Sequence, residues 1–417
     1  MEDLFSFLDS SPTSWHCAAT IAERLSFCGF TCLKEVDDWP ISPGKAYFVM
    51  RDGSVIAWWQ PQSGANWTLI GAHTDSPNLR LKPNPVIERN GLVQFTTEVY
   101  GGALLNPWFD RDLSLAGRVF IEGKGIQLVD FNRAIAIIPS LAIHLDRNAN
   151  KEKTVNAEEQ MVCVVSCTKR DEKVEIKTLV ASELGCDANK IHAPELCLYP
   201  IQKSSFVGLN NEFISGSFLD NQLSCWMALK AITTAQNPDG ERGMMIVLSD
   251  HEEIGSRSSC GADSPFLNTV FSRINLSQDF QRVISESLFL SVDNAHAVHP
   301  NFPSKHAVGV TPQMNDGPVL KINASKRYAT GGRGQAIIER LAKDLDISLQ
   351  YFASRSDLAC GSTIGPITAS WLGIETVDLG LPTLAMHSCR ELAGSEDPEK
   401  MIRLLTSALE GKCRYEY

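Results

Sequence analysis

The chain has 417 residues, 43% of them hydrophobic and 21% charged, with a formal net charge of −11. That length supplies material for two or three buried units, and the acidic balance argues against a phosphate-neutralising surface, so no nucleic-acid partner is expected. Met1-Glu2-Asp3-Leu4 is acidic and no apolar run approaches the roughly 18–20 residues that cross a bilayer, so a soluble chain with no removable signal and no membrane partner is expected. The twelve cysteines are scattered, and the closest pairs, Cys28/Cys32 and Cys163/Cys167, have three intervening residues where redox and zinc-knuckle motifs have two. They are expected to be ordinary thiols in a reducing, cytoplasmic compartment.

From Leu4 to Phe27 apolar residues recur at helical spacing, with Pro12 separating two helices. Tyr47–Met50, Ser54–Trp59 and Trp67–Ala72 are predicted strands, set apart by turns at Asp52-Gly53 and Ser63-Gly64. Between about Lys82 and Phe213 the texture becomes β-rich, with strands such as Val93–Tyr100 and Val174–Leu179 and a polar stretch from Asp146 to Gln160. An inserted domain over residues 85–213 is the expectation, with residues 1–84 and 214–417 forming one discontinuous catalytic domain. In that second part a helical run Gln222–Ile232, strands Met244–Ser249 and Leu288–Val292, and helices near Gly334–Leu345 and Pro398–Leu409 alternate. The fold class expected is therefore α/β: a central sheet flanked by helices, with an inserted β-rich domain. No internal repeat, heptad array or low-complexity segment is present.

His, Asp and Glu residues follow predicted strands at five places, where sheets of this kind gather ligands and catalytic groups. These are Gly71-Ala72-His73-Thr74-Asp75, Phe218-Leu219-Asp220-Asn221, Asp250-His251-Glu252-Glu253, Val292-Asp293-Asn294-Ala295-His296 and Ala385-Met386-His387-Ser388. In an extended segment Asp75 lies on the same side as His73, and can accept a hydrogen bond from its ring and fix its tautomer. Glu252 and Glu253 can divide their labour, one binding a cation while the other removes a proton from water. Each place also has an ordinary alternative: a surface turn at His73, helix-capping aspartates at Asp220 and Asp293, a solvated helix start at Glu252-Glu253, a core histidine at His387. Taken jointly, these are the residue types that a dinuclear zinc site requires. Gly117 to Lys124 lacks the spacing of a phosphate loop and is expected to contain a β-turn, and Gly331-Gly332-Arg333-Gly334 is expected to be a flexible loop before a helix.

These motifs resemble those of the aspartyl aminopeptidase family, within the dinuclear zinc aminopeptidases. The resemblance extends over Gly101–Asp112, Leu141–Arg147, His296–Asn301, Gly317–Lys321, Arg327–Thr330 and Cys360–Pro366, and so runs from about residue 71 to residue 391. It implies a zinc-peptidase-like fold in which the inserted domain mediates dimerisation. It also implies two zinc ions per subunit: Asp220 bridging them, His73 and Asp293 completing one site, Glu253 and His387 the other, with Glu252 as the base. Lys321 and Tyr328 would hold an acidic N-terminal side chain and His296 would touch the substrate. His144 would reach the active site of a partner subunit, in an assembly built from dimers up to a tetrahedral dodecamer. Two departures stand out: Phe218 and Gln222 replace a basic residue and a leucine around Asp220, and Asn294 replaces the methionine often found after Asp293. The expected activity is removal of N-terminal Asp or Glu from peptides by water activated on two zinc ions. The rivals are a related zinc hydrolase of neutral or broad specificity and a zinc-stabilised oligomeric scaffold without turnover.

Overall fold

The computed structural model describes residues 1–62, 65–168, 173–237, 240–274 and 279–412; the turn expected at Ser63-Gly64 lies outside them. A nine-stranded mixed sheet runs through the molecule in the order Thr31–Leu33, Ala46–Arg51, Ser54–Trp59, Gly243–Ser249, Trp67–His73, Leu288–Val292, Glu375–Gly380, Val319–Lys321, Gln350–Phe352. The four strands from Gly243–Ser249 to Glu375–Gly380 are parallel neighbours, so their C-terminal ends share one edge. Strands buried on both faces read as unbroken apolar runs, and Trp67–His73 is of this kind. Its Ile70 and Ala72 enter the core beneath the helices Glu2–Asp9, Ser14–Phe27, Leu219–Thr234, Gly332–Asp344 and Asp397–Leu409. Its Trp67 and Leu69 enter the opposite core, with the helices Phe266–Ile274, Phe280–Ser285 and Ile364–Leu372. Each large side chain of this kind, such as Ile70 or Leu69, contributes about 1.5–3 kcal/mol by leaving water, which is what holds the helices on both faces.

Residues 78–200 build a second, six-stranded sheet in the order Gly125–Asp130, Leu113–Ile121, Ile191–Pro200, Asn78–Arg89, Leu92–Tyr100, Val162–Cys167, over a core of its own that includes Phe95, Trp108, Leu115 and Leu198. The strand Asn78–Arg89 runs unbroken through residues 84 and 85. A third sheet has five short strands in the order Ser205–Val207, Phe213–Gly216, Glu391–Gly394, Pro382–Leu384, Ala295–His296. It was not anticipated, because its strands are two to four residues long and carry no readable period.

Two expectations are corrected. Val174–Leu179 is not a strand: Ile176–Leu184 is a helix, with Ile176, Leu179, Val180 and Leu184 on one helical stripe and Gly185 ending it at φ 61°. The six-residue window was too short to display that period. Nor are the glycines at 331–334 a flexible loop, because the helix begins at Gly332. A Cβ on Gly334 would lie 2.5 Å from Val377 Cγ2, so this glycine serves close packing of helix on sheet. The turn expected near Lys124 is present, its amide donating to the carbonyl of Ile121 at 3.0 Å. The described cysteines are free, and among the described residues no helix is long and apolar enough to cross a membrane.

Candidate active site

The shared edge of the parallel strands brings three of the five motifs together: His73 ends one strand, Asp250 to Glu253 follow another, and Asp293 follows a third. The five-stranded sheet supplies the remaining two, since Phe213–Gly216 leads into Asp220 and Pro382–Leu384 into His387. Asp220 stands at the start of the long helix, outside helical geometry, with a cis peptide to Asn221.

The side chains converge. His73 Nε2 lies 3.5 Å from Asp220 Oδ1, and His387 Nε2 lies 3.3 Å from both Asp220 Oδ2 and Glu253 Oε1. One ligand-type atom from each of His73, Asp220 and Glu253 falls within 4.8 Å of the others. The opposite ring nitrogens are engaged by carbonyl oxygens, His73 Nδ1 with Asp75 O at 3.0 Å and His387 Nδ1 with Gly102 O at 3.1 Å. A carbonyl only accepts, so Nδ1 of each ring carries a proton, and in the neutral form that binds a metal it is Nε2 whose lone pair faces the carboxylate oxygens. Asp220 Oδ1 and Glu253 Oε1 are buried and have no hydrogen-bond partner. Buried carboxylate oxygens without a donor, converging with imidazole nitrogens, fit a cation between them, and imidazole with carboxylate is a zinc donor set.

The electrostatics agree. Burial pushes the Glu253 carboxyl well above its ordinary range, with Asp220 adding to the shift. Burial likewise pushes Glu252 up to about 7, opposed by His73 and reinforced by Asp293, Asp75 and Asp220. Asp293 is pushed up to about 6 by burial against the pull of Lys321. Burial opposes protonation of the two imidazoles, but the Asp220, Asp75 and Glu253 carboxylates outweigh it, drawing His73 well above its ordinary value and His387 up to about 10. The protonated rings in turn overcome burial at Asp220 and hold it well below the usual range, so positive charge, from protons or from a metal ion, is what this cluster of acids demands.

Asp75 is adjacent to this cage: its Oδ1 lies 3.4 Å from His73 Nδ1, which also meets the backbone carbonyl of Asp75 at 3.0 Å. The carboxylate accepts from the amides of Glu252 and Glu253, both at 3.1 Å, and from the Tyr100 hydroxyl at 2.7 Å. Glu391, buried on the five-stranded sheet, accepts from the amides of Asp220 at 2.9 Å and His387 at 2.8 Å. Tyr100 and Glu391 were not singled out from sequence. Neither carries a local signal: Glu391 follows Arg390 at the head of a four-residue strand.

Lys321, 2% exposed, donates to Asn294 O at 3.0 Å and lies 3.7 Å from Asp293 Oδ2 and 5.1 Å from the centre of the Tyr328 ring. Tyr328 and His296 line a neighbouring cavity of about 290 Å³ with Phe352, Met386, Lys305 and Arg355. His144 is exposed on a loop with exposed Leu141, Ile143 and Leu145, and among the described residues no hydrogen bond or ion pair joins it to the cage. The departures noted in the sequence have structural uses. Asn294 Nδ2 donates to Leu219 O and Asn221 Nδ2 to Val292 O, both at 2.9 Å, bracing the Asp220 and Asp293 loops against each other. Gln222 Nε2 donates to Ser11 O, and Phe218 packs with Ala116 and Tyr199.

A family model described as aminopeptidase I zinc metalloprotease (M18) matches residues 7–408. A protein of Pseudomonas aeruginosa (strain UCBPP-PA14) described as a probable M18 family aminopeptidase 2 is 47% identical over 416 residues, 97% of this chain and 96% of its own. Among solved structures, that of the Ape4 and Nbr1 complex matches with a TM-score of 0.95 at 37% identity, covering 100% of this chain and 87% of the other. The S. cerevisiae mApe1 dodecamer matches at 0.87 and 27% identity, covering 99% and 96%. The chain therefore belongs to the M18 family of aminopeptidase I zinc metalloproteases, and is a metalloaminopeptidase.

Proposed function

We propose that this aminopeptidase uses two zinc ions and preferentially releases N-terminal Asp and Glu from peptides. The observation that carries the reading is the convergence of two imidazole Nε2 atoms on the partnerless buried oxygens of Asp220 and Glu253, with the buried ammonium of Lys321 at the border of the cage. Asp220 would be shared by both ions, His73 and Asp293 would hold one, and Glu253 and His387 the other. Zinc there would supply Lewis acidity toward the scissile carbonyl and toward the attacking water. Glu252 takes the proton of that water on its carboxylate and returns it to the departing amide nitrogen. Asp75 keeps Glu252 in place through its backbone amide, while Lys321, with Tyr328 beside it, faces an acidic side chain and His296 contacts the substrate.

A broader or neutral specificity is the second reading, favoured by the engagement of Lys321 with Asn294 O and Asp293. We further propose a cytoplasmic homo-oligomer, dimer-based and up to a tetrahedral dodecamer, with the region 85–213 mediating dimerisation and His144 reaching the partner's site. The exposed apolar side chains around His144 and the likeness to the yeast dodecamer support it. Light scattering separates monomer, dimer and dodecamer. Release assays on Asp-, Glu- and Leu-initiated peptides, before and after chelation and zinc return, test the rest. Acidic peptides should be cleaved faster, with activity lost on chelation and restored by zinc, whereas equal rates on all three peptides would favour the second reading.

A further inference from the structure

We infer that Glu391 is a positioning residue that sets the separation of Asp220 and His387. The inference rests on the reading of the cage as the metal centre, and deepens it. In the five-stranded sheet Glu391 opens the central strand, with Phe213–Gly216 paired on one side and Pro382–Leu384 on the other. Those two neighbours feed the loops that carry Asp220 and His387. One carboxylate reaches both loops, Oε2 accepting from the Asp220 amide at 2.9 Å and Oε1 from the His387 amide at 2.8 Å.

The loops need such a tie. Phe218, Ala385 and His387 all have positive φ, at 62°, 57° and 65°, a region that costs a side-chain-bearing residue energy and persists only where the surroundings enforce it. Glu391 is 3% exposed, and no Lys or Arg pairs with it among the described residues. A carboxylate buried in that way is held by amide donors, and the amides it holds are in turn fixed by it. The contact between His387 Nε2 and Asp220 Oδ2, at 3.3 Å, spans the two segments that Glu391 joins. Asp75 does the same for Glu252 and Glu253, so the cage is braced by a carboxylate on either side.

The test compares wild-type protein with Glu391→Gln, Glu391→Ala and, as a reference, His387→Ala. Zinc affinity of the metal-free proteins is measured by chelator competition, with the fold followed by circular dichroism and the cobalt(II)-substituted proteins by their visible absorption. Loss of a group that orients ligands weakens metal binding by about 10–100-fold. Glu391→Ala should fall in that range with altered cobalt bands, and Glu391→Gln should fall less, because one oxygen still accepts an amide while its NH2 opposes the other. A merely structural role would lower the melting temperature and leave affinity and spectrum alone. Wild-type zinc affinity with an unchanged cobalt spectrum in Glu391→Gln overturns the inference, and that variant carries the test if Glu391→Ala does not fold. Wild-type zinc affinity in His387→Ala would instead overturn the reading of the cage itself.

Discussion

Replacing Glu252 by Gln preserves shape and removes only the proton acceptor. Its carboxyl oxygens accept no hydrogen bond from the described residues, so their lone pairs are available. The nearby acids are otherwise engaged: Asp220, Glu253 and Asp293 are assigned to the metal ions, both oxygens of Asp75 accept from Glu252 N, Glu253 N and Tyr100, and both oxygens of Glu391 from Asp220 N and His387 N. General acid–base catalysis contributes about 10²–10⁴-fold, or roughly 3–5 kcal/mol of barrier, and without a substitute base kcat should fall by at least about 100-fold. The base must be ionised to act, so kcat/KM of the wild type should fall tenfold per pH unit below the Glu252 pKa. Burial places that group at about 7 in the protein alone, and bound cations favour the ionised form and move the limb below 7. In Glu252→Gln the acidic limb should vanish. The assay is initial-rate release of Asp from a short peptide across pH 5–9, with zinc measured by mass spectrometry on the same samples. A kcat within tenfold of wild type at full zinc content would refute the assignment.

Lys321→Ala should lower kcat/KM for Asp and Glu peptides by about 30-fold or more relative to a Leu peptide, since truncating one partner of a buried charge pair costs at least about 2 kcal/mol; equal loss on the neutral peptide would contradict a role in side-chain recognition. Gly334→Ala should destabilise the fold by up to about 2 kcal/mol in urea unfolding, because an overpacking cost of about 1–3 kcal/mol against Val377 outweighs the ~1 kcal/mol that alanine gains in a helix. The added Cβ would meet Val377 Cγ2 at 2.5 Å, and a variant as stable as wild type would show that the helix can shift.

The chemistry of the cage was legible because ligand types stand directly after apolar runs. Trp67–Ala72 and Met244–Ser249 are recognisable as buried strands, and polar residues at their ends are therefore conspicuous. What braces the cage was not legible. Tyr100 closes a strand of alternating texture, and Glu391 sits in a four-residue strand. Nothing local distinguishes either from a solvated side chain until distant segments are brought beside it. The same limit hid the five-stranded sheet, whose strands come from residues 205–216, 295–296 and 382–394. Short windows also misled: the helix Ile176–Leu184 declares itself only over nine residues.

The hairpin of Asn78–Arg89 and Leu92–Tyr100 has both its roots at the cage. One root is five residues from His73, and at the other Gly102 receives His387 Nδ1 while a Cβ on Gly101 would stand 3.1 Å from that of Glu253. The six-stranded sheet is thus gripped at two points by the residues it borders. A displacement of either root would therefore be carried straight into the segments that hold His73, Glu253 and His387.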